Sequence, residues 1–361
     1  MRLVSLLLVA AGAAAGQSAN PELLFREAVA AQQRGDDAAA VSKYRELMKL
    51  YPDAIEVRAN LGATLARMGR FDEAIEQYRA ALAKSPGNAA LRMNLALAYY
   101  KKGASKEAIE QLAPLHQEQP GDARIATLLG DCYTHTGQDD RAIAILTPVE
   151  AAHPEDLGVE WLLGSALIRT GRKREGLERV DKVARQGHNA EACLLAGQTA
   201  LNLNEFERAR DYADAALAID AKLPGALTLR GTVLTYLGDN VGSIETLRKA
   251  LAVNPDDFEA HLSLGAVLHT ERDLDGARQH LARARQLNPS STLALYEWAR
   301  LERTEDHLEA AVKDFEQLVR EDPNWAQPHV ELAALYFRLN RQEDGERERA
   351  TFDRLNAGPH K

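Results

Sequence analysis

The sequence predicts an all-α fold made by stacking antiparallel helix pairs, and three observations carry that prediction. A glycine recurs every 34 residues, at Gly35, Gly69, Gly103, Gly137 and Gly171, and prolines Pro52, Pro86, Pro120 and Pro154 keep the same step. Between these marks lie two amphipathic segments per unit, as in the run from Asn60 to Leu82, with Gly69 and Arg70 separating them. The chain is 45% hydrophobic but only 6% aromatic. With Ala and Leu abundant, that balance suits closely packed helices better than broad sheets.

Each marker has a physical reason. Glycine in the middle of a unit takes the left-handed conformation that ends one helix and turns the chain back. Proline after the second helix cannot continue it and so closes the unit. Small residues at Ala28, Gly62, Ala96, Gly130, Gly164, Gly197, Gly231, Gly265, Ala299 and Ala333 let the first helix of a unit approach its neighbours. Ala40, Ala74, Ala108, Ala142, Ala209, Ala277 and Ala311 do so on the second helix. Tyr44, Tyr78, Leu112, Leu146, Leu247, Leu281 and Phe315 then fill the space between, large against small, as native packing density requires.

Departures from the period are informative. Later turns carry Asn204, Arg272, Asp306 and Asn340 in place of glycine; Asn and Asp tolerate left-handed geometry more readily than Arg. From Gly164 to Gly197 the step is 33, and the closing proline is missing around Gln186-Gly187-His188. A slight bend or shift of the stack is expected near residues 184–190. The acid pairs Asp36-Asp37, Asp139-Asp140 and Asp256-Asp257 fall at turns, where Asp caps a helix or faces its positive end.

These residues resemble the tetratricopeptide repeat, in roughly ten copies from about Pro21 to Phe352. The resemblance implies helix-turn-helix units stacked into a right-handed superhelical solenoid that serves protein interaction. The physics agrees, since one helix pair cannot bury its apolar face without neighbours. The solenoid is expected over 20–356. The charged run from Glu343 to Arg349 reads as the cap of a terminal repeat, and residues 357–361 as a loose tail.

The first residues place Arg2 ahead of an apolar run and then the small residues Ala13, Ala14, Ala15 and Gly16. That is the layout of a secretory signal peptide over 1–19, cleaved near 15–19, and the run is short for a membrane span. The chain is therefore expected to be periplasmic or secreted. Its composition, rich in Ala and Arg, points to a bacterium. Cys132 and Cys193 lie on first helices with a complete unit between them, too far for a disulfide, so stability must come from packing. No later stretch reads as a membrane span. The formal net charge of −9, without any dense basic run, argues against nucleic acid as partner.

Catalytic signatures are missing: no phosphate-cradling glycine loop with lysine, no H-E-x-x-H, no C-x-x-C. His269-Thr270-Glu271 has the H-x-E spelling of zinc deaminases but lacks the cysteines that complete the site. It reads as a solvated helix end. Gly164-Ser165 lies inside a helix and forms no nucleophile elbow. No enzyme activity, metal or cofactor is expected.

In the family the first helices line the concave face. Carried over by position, the lining is Phe25, Met93, Leu97, Tyr100, Thr127, Asp131, Trp161, Ser165, Leu194, Gln198, Thr228, Thr232, Tyr236, Leu262, Tyr296 and Phe337. Aromatic and Met anchors alternating with small polar groups suit a peptide or a partner helix. Trp161 has an alternative role in inter-repeat packing. Arg67, Lys101, Arg124 and Arg169 favour a partner with an acidic segment or a free carboxylate. Asn60 and Asn94 match one position of the family's carboxylate clamp, but Phe25, Val29 and Ala90 stand where the clamp needs Lys or Asn. A binder of heat-shock chaperone tails is thereby excluded. The reading is a non-catalytic scaffold in envelope assembly or secretion; the alternative is an accessory subunit of an enzyme system such as a glycosyltransferase or protease.

Overall fold

The computed structural model describes residues 20–357, and every regular element among them is an α-helix. The proposed leader and the end of the tail, from Gly358 on, lie outside the described residues. The chain divides into two compact units, Met1–Ala166 and Leu167–Lys361.

Unit one holds α1 (Pro21–Gln33), α2 (Asp37–Leu50), α3 (Ile55–Arg67), α4 (Phe71–Lys84), α5 (Ala89–Lys102), α6 (Ser105–Glu118), α7 (Ala123–His135), α8 (Asp139–Ala152) and most of α9 (Leu157–Arg169). Unit two holds α10 (Lys173–Gly187), α11 (Ala190–Asn202), α12 (Phe206–Ile219), α13 (Ala226–Tyr236), α14 (Asn240–Val253), α15 (Phe258–Thr270), α16 (Leu274–Leu287), α17 (Thr292–Thr304), α18 (Leu308–Glu321), α19 (Ala326–Arg338) and α20 (Gln342–Asn356). Odd-numbered helices are the first of each pair. From α1 to α8 in unit one and from α10 to α20 in unit two each helix packs on the next, which is the solenoid the periodicity predicts.

Polar side chains set where helices begin. Asp36, Asn88 and Asp122 accept the backbone N–H groups of Ala39, Leu91 and Ile125. Asn189, Asp239, Asp257, Asp273 and Ser291 do the same in unit two. Each such cap contributes about 1 kcal/mol. Asp139 and Asp140 instead occupy the first turn of α8, beside the positive end of its dipole.

The turns follow the period closely. All five expected glycines have positive φ, and so do Asn204 at 59°, Arg272 at 66°, Asp306 at 67° and Asn340 at 58°. Arg272 thus accepts a conformation that its Cβ opposes by roughly 1–2 kcal/mol. Packing on both sides of the turn overrides the local preference.

Large-against-small packing is equally direct. A Cβ placed on Gly62 would meet the Tyr78 ring at 2.8 Å, and one on Gly130 would meet Leu146 at 2.6 Å. Tyr44, Leu112, Leu146 and Phe315 are fully buried in these slots.

The two irregularities lie in unit two. Near residues 184–190, α10 runs on to Gly187, His188 turns the chain at φ 45°, and Asn189 at once caps α11. The short step is absorbed in a tighter connector. A second irregularity was not expected: α13 begins late, after Gly225 at φ 82°, and is only 11 residues long. Proline also behaves less uniformly than the closing rule implies. Pro114 and Pro148 lie inside α6 and α8, because buried Leu112, Leu115, Leu146 and Val149 hold those helices on course. Both cysteines are free and buried. Burial pushes the Cys132 thiol up to about 11 and raises that of Cys193.

Candidate protein-binding face

Neighbouring first helices touch directly, α1 with α3 and α3 with α5 in unit one, and α11 with α13, α13 with α15 and α15 with α17 in unit two. Between second helices the surface opens instead. A depression of about 320 Å³ between α2 and α4 is lined by Arg45, Met48, Glu73 and Gln77, and one of about 650 Å³ between α4 and α6 by Asp72, Arg79, Tyr99 and Glu107. None of the residues expected to bind a partner lines these openings.

In unit one the expected residues converge on α5 and α7. The Tyr100 hydroxyl donates to Asp131 Oδ2 at 2.5 Å, and Lys101 Nζ lies 5.9 Å from the Tyr100 ring centre. His135, one turn beyond Asp131, places Nδ1 3.0 Å from Asp131 Oδ1. The hydrogen bond to Asp131, helped by burial, pushes the Tyr100 phenol up to about 12. His135 was missed in the sequence, yet it is the 34-residue step after Lys101 and before Arg169. Leu97, Thr127 and Trp161 are half-buried, and Lys101 and Arg124 are exposed.

Several expected residues serve the fold instead. Met93 (9% exposed), Ser165 (8%), Thr228 (6%) and Leu262 (4%) are interior, so their positions offer a partner little surface. Phe25 packs edge-on against Tyr44, with ring centres 6.2 Å apart. Arg67 is held by Asp37 and by the carbonyl of Gln32 at 2.8 Å, which weakens its role as a steering charge. The Ser165 hydroxyl makes no hydrogen bond.

In unit two Thr232 Oγ1 lies 2.8 Å from Ser263 Oγ, and Thr228 donates to Asp257 at 2.7 Å, so small polar groups tie α13 to α15. Tyr236 is 61% exposed and stacks flat on Phe206, with ring centres 4.9 Å apart. Gln198 and Arg169 are exposed and Leu194 is half-buried. Tyr296 is wedged between Phe315 at 5.8 Å and Trp325 at 5.0 Å, and the Phe337 ring lies over Gly345. These last two are packing residues first.

The histidine of the H-x-E spelling at this helix end is not solvated, contrary to the expectation from the sequence. His269 is 8% exposed, with Nε2 2.8 Å from Thr304 Oγ1. Burial, together with Arg300, Arg272 and Arg303, pushes its pKa down to about 4. Glu302, Glu305 and His307 converge closely enough to share a cation. Arg278, however, already bonds both carboxylates, and a metal would have to displace it.

Models described as tetratricopeptide repeat match residues 22–54, then 65–132 and 106–158, then 162–224 and 228–292. The chain belongs to the tetratricopeptide-repeat proteins. Among solved structures, a tetratricopeptide repeat protein from Parabacteroides merdae ATCC 43184 aligns with TM-score 0.54 at 15% identity, over 69% of this chain and 98% of that one. MamA from Desulfovibrio magneticus RS-1 aligns at 0.41 and 21% identity, over 48% and 97%. Yeast Tom70 aligns at 0.42 and 14% identity, over 93% and 91%. Comparison with curated proteins gives no match.

Proposed function

We propose that this chain is a non-catalytic scaffold, exported from the cytoplasm, that holds a protein or peptide partner against its first helices. Envelope assembly or secretion is the process such an exported scaffold fits. The observation that carries the reading is the set of exposed side chains left on otherwise closely packed first helices: Lys101, Arg124, Gln198 and, above all, Tyr236. An exposed aromatic beside polar groups is the usual anchor of a protein interface. Lys101 and Arg124 favour an acidic segment in the partner. No helix among the described residues is long and apolar enough to cross a membrane. The net charge of −9 argues against nucleic acid.

A pull-down from envelope extract tests the reading. It compares the wild-type chain, a Lys101→Glu, Tyr236→Ala variant, and a variant altered on the second helices at exposed Glu110 and Lys249. The proposal expects one protein to be retained by the wild type and the second-helix variant and lost by the first-helix variant. Equal retention by all three would overturn it.

A further inference from the structure

The residue four positions before the small residue of a first helix recurrently ties its helix to the preceding connector. Arg58 donates to the carbonyl of Pro52 at 2.7 and 3.0 Å and to Gln77 Oε1 at 2.9 Å. In unit two the same positions hold His261, whose Nε2 lies 3.0 Å from the carbonyl of Pro255, and His280, whose Nδ1 lies 2.9 Å from His261 Nδ1. The arginine–glutamine pair is indifferent to acid. A pair of imidazoles is not.

The hydrogen bonds assign the protons. A carbonyl only accepts, so His261 Nε2 carries a hydrogen, and in the neutral ring Nδ1 is then an acceptor. His280 Nδ1 must donate to it. One added proton can be housed on either ring without losing the bond. With two added protons both Nδ1 atoms carry hydrogens, and two cations face each other at hydrogen-bond distance. His261 is 9% exposed, so water screens that repulsion poorly.

The surroundings do not relieve it. Arg248 from α14 acts on His280 and opposes its protonation, while Asp273 at the start of α16 favours it; burial is the largest influence and lowers the His280 pKa. Arg283 of α16 is paired with Asp256 of the connector. Glu245 and Lys249 of α14 pair with each other. Arg230 of α13 is taken by Asp214. On α17, Arg300 pairs with Glu297, Glu302 with Arg278 and Arg303 with Glu331. Glu259, at the start of α15, is itself held above the ordinary carboxylate range by burial.

We propose that His261 and His280 form a proton-operated latch that fastens α16 to the start of α15 and opens when both imidazoles are charged. Mild acid thereby loosens this repeat through the repulsion of two cations, which neither the ties of Arg58 and Arg92 in unit one nor the His329–Glu348 pair in unit two can generate.

The test measures amide hydrogen-exchange protection factors from pH 7.5 to pH 5 in the full chain and in a His261→Arg, His280→Gln variant, which installs the pair seen at Arg58 and Gln77. The wild type should lose protection in α15 and α16 relative to α13 and α14 as the pH falls, because the second proton sets two cations against each other. The variant should not. Unchanged relative protection in the wild type, or an equal loss in the variant, overturns the proposal. Should the variant fail to fold, imidazole nitrogen NMR of the wild type decides. The latch requires His261 as the Nε2–H form, with its Nδ1 accepting from His280 Nδ1–H; a His261 Nδ1–H form at pH 7.5 overturns it.

Discussion

A Cβ placed on Gly231 would lie 2.5 Å from Leu247 Cγ and 3.3 Å from the Leu247 backbone nitrogen. The helices α13 and α14 therefore meet through a residue with no side chain. Gly231→Ala gains helix propensity worth about 1 kcal/mol but forces a fully buried leucine and its backbone aside, and overpacking of this kind costs about 1–3 kcal/mol. The expected net effect is a loss of roughly 1 kcal/mol, read as a lower midpoint in urea at unchanged slope. The same close approach recurs at the register-equivalent Gly62, Gly130 and Gly265, where Tyr78, Leu146 and Leu281 fill the slot, whereas Ala28, Ala96 and Ala299 occupy that position fully buried, so the cost belongs to the repeats whose helices meet through glycine.

His269 makes the fold sensitive to acid on its own account. Its folded pKa of about 4 lies below the ordinary 6.5, so the unfolded chain takes up a proton first as pH falls. Stability is complete above pH 6.5 and declines between 6.5 and 4, by up to about 3 kcal/mol. His269→Gln keeps a donor for Thr304 and removes the titration. Urea unfolding at pH 7.5 and 4.5 should show a smaller acid loss in the variant than in the wild type; equal losses would discard this assignment.

Tyr100 should report on Asp131. With the carboxylate accepting its hydroxyl proton, the phenol is held at about 12. Asp131→Asn keeps an acceptor oxygen and removes the charge, so the Tyr100 phenol should titrate nearer the ordinary 10. The ring-carbon NMR signal of Tyr100 through an alkaline titration checks this, and an unmoved midpoint would show that burial alone sets the value.

Export makes a prediction about the chain's end. Protein recovered from the periplasm or the medium should begin close to residues 16–20, as terminal sequencing would show. Recovery of the intact Met1 chain from the cytoplasm would reject the leader.

The fold was legible because its punctuation is local. Turn positions with positive φ were found even where Asn, Arg or Asp replaces Gly, since the 34-residue step fixes them independently of residue type. The interior prolines Pro114 and Pro148 and the late start of α13 at Gly225 were not found. There tertiary packing overrides the rule that proline ends a helix, and Gly231 and Gly238 keep the period across the change. The candidate face was only half legible. All of Lys101, Gln198, Tyr236, Met93, Ser165, Thr228 and Leu262 lie on first helices, but only the first three are exposed, and the sequence did not separate them from the interior four. Depth depends on how far each neighbouring helix leans over the residue. The latch was invisible because His261 and His280 lie 19 positions apart on different helices, and only their packing brings them together.

Photocrosslinking in intact cells tests most directly the claim that first helices hold the partner. A photoreactive residue is placed at Leu97 or Gln198 on first helices, or at exposed Glu110 or Lys249 on second helices. A discrete adduct formed from Leu97 and Gln198 and not from Glu110 and Lys249 is the predicted result. Adducts from Glu110 or Lys249 alone would contradict the account and move the binding surface to the depressions between second helices.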